Sequence, residues 1–185
     1  MNDPVAHPEV MRITPYQTSD STIFGSTPGI YLDSNEGAFG PSPKAINAYK
    51  SVVADLHRYP NDTCSQLRAQ LGEVHRIQSD NIVCGAGSDE LLRLLFGAYA
   101  RQGDEVIYSE YGFIMYPTHA YSSGATPVSA SEVNFQTNVA NILSKVTAKT
   151  RIVCIANPNN PTGTYIFWQD IKRLHRNLPE NILLI

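Results

Sequence analysis

The run Ile152-Val153-Cys154-Ile155-Ala156-Asn157-Pro158-Asn159-Asn160-Pro161-Thr162-Gly163 decides the fold. Its first five residues are apolar and rich in β-branched side chains, so they read as a buried strand. The rest is a rigid turn. Pro161 fixes its own φ and pushes Asn160 out of the helical region, so the Asn160 amide is held extended at the strand's carboxyl end, where open α/β sheets bind ligands. An amide there can donate to an oxyanion without titrating. The same residues also suit a plain tight turn, and their surroundings decide between the two readings.

Outward from this run, strand and helix alternate. Upstream come strand Ile82-Val83-Cys84, helix Asp89 to Ala100, strand Glu105 to Ser109, a helical stretch near Ile114 to Ser122, strand Thr126 to Val128 and helix Val139 to Val146. The strand from Arg151 to Ala156 is followed by helix Trp168 to Asn177 and strand Asn181 to Ile185. Such alternation predicts an α/β fold with a mostly parallel sheet and helices on both faces. Nearer the amino terminus, Ile30-Tyr31-Leu32-Asp33 is a short strand candidate. Ser42 and Pro43 then open a helix with Ile46, Tyr49, Val53 and Leu56 on one face, and a second helix from about Cys64 to Arg76 turns Leu67, Leu71 and Val74 inward. Met1 to Gly29, with four prolines, reads as an arm. The chain stops inside the apolar run Ile182-Leu183-Leu184-Ile185, which reads as an incomplete domain.

Composition narrows the function classes. The 185 residues are 42% hydrophobic and 17% charged, with net charge -3, as in a globular protein in solution. No block of like charge offers a footprint for nucleic acid or an anionic membrane. The first residues hold no apolar stretch of the kind a signal peptide or membrane span requires. Cys64, Cys84 and Cys154 show no CxxC spacing and read as free thiols of a reducing cytosol, the last two buried in strands. The five histidines form no HxH or HExxH pattern, so no metal site is expected. Asn61-Asp62-Thr63 matches a glycosylation sequon but has no secretory signal to accompany it.

Two further segments belong with the Asn160 turn. Gly85-Ala86-Gly87-Ser88-Asp89-Glu90 delivers the backbone to a helix amino terminus, where unpaired N–H groups and the helix dipole favour a phosphate, and Ser88 can cap. Glu90 stands where a dinucleotide fingerprint needs its last glycine, and no P-loop lysine is present. Tyr108-Ser109-Glu110-Tyr111-Gly112-Phe113-Ile114-Met115-Tyr116 places aromatics at the carboxyl end of the next strand, able to stack on a planar ligand. A phosphate cradle, an aromatic plane and a fixed amide suit a planar, phosphorylated, phenolate-bearing ligand, and pyridoxal 5'-phosphate fits that description.

Seven pieces, in order, carry a resemblance: Thr14-Pro15-Tyr16-Gln17, Ser34-Asn35-Glu36, Gly40-Pro41-Ser42-Pro43, His57-Arg58-Tyr59-Pro60, Gly87-Ser88-Asp89-Glu90, Gly103-Asp104-Glu105-Val106 and Asn159-Asn160-Pro161-Thr162-Gly163. With them the chain resembles the amino-terminal half of a class I/II, fold type I pyridoxal-phosphate aminotransferase, most similar to the histidinol-phosphate branch. The resemblance implies residues 1–40 as arm and small-domain segment and 41–185 as the first part of the large cofactor-binding domain. It implies that Gly87, Ser88 and Asp89 hold the cofactor phosphate, that Tyr59 reaches it from the other subunit of a homodimer, and that Asn160 bonds the pyridine O3'. Phe113, three residues before Tyr116, is preferred to Tyr111 as the stacking ring. Tyr16 and Glu36 would line the substrate end.

The resemblance also implies a cytoplasmic enzyme moving an amino group from L-histidinol phosphate to 2-oxoglutarate. Asn35-Glu36-Gly37-Ala38 departs from the family's usual Asn-Glu-Asn-Pro. The family's Asp-x-x-Tyr, its Ser-x-x-Lys with the cofactor-binding lysine, and its substrate arginines are expected beyond Ile185. The five lysines present read as solvated, so no residue of this chain is assigned as catalytic base. Alternatives from the same fold are an aromatic aminotransferase and a threonine-phosphate decarboxylase. From other classes come a non-catalytic cofactor-binding regulator and, more distantly, a nicotinamide dehydrogenase.

Overall fold

The computed structural model describes residues 4–15 and 34–185. The chain divides into two compact units, one of residues 1–14 and 85–185, the other of residues 15–84. The strand candidate at Ile30 to Asp33 lies outside the described residues. No described helix is long and apolar enough to cross a membrane.

The first unit carries the sheet. Its strands are β1 (Glu105–Ser109), β2 (Thr126–Ala130), β3 (Thr150–Cys154) and β4 (Leu183–Leu184), all parallel, in the order β2-β1-β3-β4. Between and before them run α3 (Ser88–Tyr99), α4 (Met115–Ser122), α5 (Val139–Ser144) and α6 (Trp168–Asn177). Helices α1 (Pro43–Val52) and α2 (Ser65–His75) belong to the second unit.

Alternation along the strands sorts the core into two layers. Val106, Ile152 and Cys154 pack with Phe96 and Ala100 near or on α3 and with Tyr116 and Ala120 of α4. Ile107 and Val153, the neighbouring positions, point the other way and pack with Val139 and Ile142 of α5 and Leu174 of α6. Helices therefore cover both faces, as expected for parallel strands whose crossovers are helical. Where β1 meets β3 the connections part company, because β1 is followed by α4 on one face and β3 by α6 on the other. That is a topological switch point, and open α/β sheets bind ligands outside the carboxyl ends of the strands at such a point.

Burial in the first layer is deep enough to move proton affinities. It pushes the Cys154 thiol well above its ordinary value of 9.0 and the Tyr116 phenol from 10.0 up to about 12, the latter with help from Cys154. Unfolding returns both groups to their ordinary values, so this part of the stability is complete below them and is lost as pH climbs toward the folded-state values. The free energy of unfolding is expected to decline between about pH 9 and about pH 12, and Tyr116→Phe to flatten the upper part of that decline, as read by urea titrations across the range.

In the second unit Ser42 caps α1 as predicted, its side chain accepting from Ala45 N–H at 3.2 Å. Asn61, the asparagine of the sequon, organises the entry to α2: its Oδ1 accepts from Thr63 N–H, the Thr63 hydroxyl and Ser65 N–H. Three expectations are corrected here. Ile46, Tyr49, Val53 and Leu56 of the first apolar face, and Leu67 and Val74 of the second, are exposed. An apolar face is buried only against another layer, and both core clusters consist of residues of the first unit. Ile82-Val83-Cys84 forms no strand, since Ile82 is extended but finds no ladder partner among the described residues. Accordingly Cys84 is only partly buried, while Cys154 is fully so.

Candidate functional site

The loop after β3 is built around Asn159, which is 4% exposed. Its backbone N–H donates to Thr164 O at 2.8 Å and its carbonyl accepts from Gly163 N–H at 2.7 Å, which closes the turn. Its side-chain Nδ2 donates to Thr162 Oγ1 at 2.9 Å and, across the switch point, to Tyr111 O at 3.0 Å in the loop after β1. Thr164 Oγ1 continues the network by donating to Phe135 O at 2.8 Å in the loop after β2. The buried Asn159 amide thus ties the loop after β3 to that after β1, Thr164 ties it to that after β2, and the turn presents the neighbouring, partly buried Asn160. The Asn157–Pro158 and Asn160–Pro161 bonds are both cis.

The loop after β1 is tight. A Cβ at Gly112 would stand 2.9 Å from Ser109 O, so the turn admits only glycine without a backbone shift. Phe113 beyond it packs against the layer containing Phe96 and meets Tyr116 edge to face, with ring centroids 5.7 Å apart. The Tyr111 ring is engaged with Phe135 instead, at 5.1 Å. Below them Ser109 Oγ donates to Glu132 Oε1 at 2.5 Å and accepts from Thr137 Oγ1 at 3.0 Å, joining the ends of β1 and β2. Two buried acceptors among the described residues have no hydrogen-bond partner, Asn159 Oδ1 and Glu132 Oε2, and both belong to this rim.

The glycine turn opens α3 with a difference from expectation. The cap position is Gly87, at φ 87 and ψ 173, and Ser88 is the first helical residue. That backbone region is essentially closed to residues with a Cβ, so the glycine is required by conformation rather than by space. Ser88 and Asp89 therefore contribute first-turn N–H groups, which have no acceptor within the helix. Glu90 Oε2 reaches back to Ala86 N–H at 2.6 Å. Asp89 Oδ1 is bonded to His119 Nε2 of α4 at 2.9 Å.

The first unit thus contains Gly87, Ser88, Asp89, Phe113 and Asn160, on α3 and on loops joined by packing and hydrogen bonds. Glu36 is exposed and Tyr59 is 100% exposed, both in the second unit, and Tyr16 lies outside the described residues. All five lysines are exposed, and Lys172 lies over the Trp168 ring. Sequence reasoning passed over Asn159, Glu132 and His119. The available signal for His119 is its place on the inward stripe of a helix beside Tyr116 and Ala120.

Residues 27–185 match the family described as aminotransferase class I and II. Curated relatives include histidinol-phosphate aminotransferases of Paramagnetospirillum magneticum, 48% identical over the whole chain, and of Rhodospirillum centenum, 44% identical over the whole chain. The chain spans about half the length of these relatives, 51% in each case. Among solved structures, histidinol-phosphate aminotransferase from Sinorhizobium meliloti in complex with pyridoxal-5'-phosphate superposes with a TM-score of 0.78 at 26% identity, over 82% of this chain and 41% of that one. With a parallel sheet covered on both faces, a topological switch point between β1 and β3 and this match over most of its length, the chain belongs to the class I and II aminotransferases.

Proposed function

We propose that the full-length protein is a cytoplasmic, homodimeric aminotransferase that moves an amino group from L-histidinol phosphate to 2-oxoglutarate with pyridoxal 5'-phosphate. The observation that carries this reading is 48% identity to a histidinol-phosphate aminotransferase over an alignment that spans the whole chain. The site suits the cofactor. Gly87 opens a helix whose first-turn N–H groups have no acceptor within the helix, the donor set an anionic phosphate requires.

Gly87, Ser88 and Asp89 would hold the phosphate through backbone N–H groups and the helix dipole. Phe113 would lie against the pyridine ring, leaving Tyr111 to Phe135. Asn160 would donate to O3', and Tyr59 of a second copy would reach the phosphate. Tyr16 and Glu36 would meet the substrate, with residues 1–40 contributing arm and small-domain segment and 41–185 the start of the large domain. When bound, the cofactor supplies the electron sink for the transfer. The proton shuttle belongs to a lysine expected beyond Ile185.

The test is glutamate formation by full-length protein supplied with pyridoxal phosphate, L-histidinol phosphate and 2-oxoglutarate. Turnover of aromatic amino acids alone would reassign the protein to the aromatic branch. Carbon dioxide release from threonine phosphate would make it a decarboxylase, and cofactor binding with no turnover a regulator.

A further inference from the structure

His119 belongs to no motif of the cofactor site, yet it is 4% exposed and bonded to it. Its Nε2 lies 2.9 Å from Asp89 Oδ1 in the first turn of α3, and its ring meets Phe96 edge-on at 5.6 Å and 61°, which fixes the imidazole plane. The first turn of α3 carries two acids, Asp89 and Glu90. Carboxylates there suit the helix dipole, but they compete with a phosphate for the same N–H groups and repel it. No lysine or arginine stands between Gly85 and Glu90 to offset them. Both acids are instead engaged by donors, Glu90 by Ala86 N–H and Asp89 by His119.

We propose that His119 is a positioning residue of the phosphate cradle. By donating to Asp89 it holds that carboxylate toward α4 and leaves the Ser88 and Asp89 N–H groups to the phosphate. The inference rests on the cofactor site proposed above, and it assigns to α4 a share in phosphate affinity.

The experiment compares the affinity of apo full-length protein for pyridoxal 5'-phosphate and for pyridoxal, which lacks the phosphate. His119→Phe keeps the ring against Phe96 but loses the donor, and should weaken phosphate-ester binding about tenfold while leaving pyridoxal unchanged. His119→Gln returns an N–H near the Nε2 position and should recover binding to within about threefold. In an Asp89→Asn background, His119→Phe should change affinity less than about twofold, because the carboxylate it restrains is gone. Equal weakening for both ligands, or an undiminished effect in the Asp89→Asn background, would make His119 a packing residue and overturn the inference. Wild-type protein that fails to prefer the phosphate ester would overturn the cradle itself. A normal preference that His119→Phe leaves intact would overturn only the part given to His119.

Discussion

Full-length protein carrying Asn160→Ala is expected to lose about ten- to a hundredfold in kcat/KM, the equivalent of a charge-assisted hydrogen bond of about 1.5–3 kcal/mol. The visible absorption of the bound cofactor should shift as well, because the oxygen assigned to Asn160 is conjugated with its ring. The fold should not respond. The turn is shaped by Asn159, whose backbone bonds Thr164 and Gly163 and whose side chain bonds Thr162 and Tyr111. Asn160 is presented by that frame, and its truncation leaves the Asn159 bonds in place. An unchanged spectrum would remove Asn160 from the O3' contact, and a lowered melting midpoint would assign it a structural part as well.

Phe96→Ala should have the largest effect on stability, about 3–5 kcal/mol, as for other fully buried aromatic side chains cut to alanine. Phe96 is 0% exposed and packs in one layer with Ala100, Val106, Ile152, Tyr116 and Ala120, so it fastens α3 to the sheet and to α4 together. Its edge contact with the His119 ring adds about 0.5–1.5 kcal/mol of the kind seen between aromatic pairs. Urea titration of the full-length protein should show a lower midpoint with an unchanged slope. A loss under about 1 kcal/mol would mean that this layer collapses around the gap.

Local signals carried much of the fold. Strand β1 and helix α6 are legible to the residue because each has a clear apolar pattern bounded by breakers, Gly103 before one and Pro179 after the other. The glycine turn, the Asn160 turn and the aromatic loop are also local, and each falls at an α3 or strand end as expected. What was not legible is pairing at a distance. Ile82-Val83-Cys84 has strand composition but a strand requires a neighbour, which no local window reports. The apolar stripes of α1 and α2 predict a buried face without saying what covers it. Asn159 to Tyr111 spans 48 residues and His119 to Asp89 spans 30, so neither bond has a sequence signature. The choice of Gly87 over Ser88 as cap turns on one dihedral, because both residue types are good caps.

The parting of α4 and α6 to opposite faces has a consequence for how the molecule would come apart. A ligand seated between the ends of β1 and β3 touches loops that are each rooted in a different hydrophobic layer, and Asn159 is the protein's own stitch between them. Occupancy of the switch point therefore resists shear of one layer past the other, and loosening of either layer opens it. Amide exchange at Tyr111 and Asn159 is expected to slow when the cofactor binds.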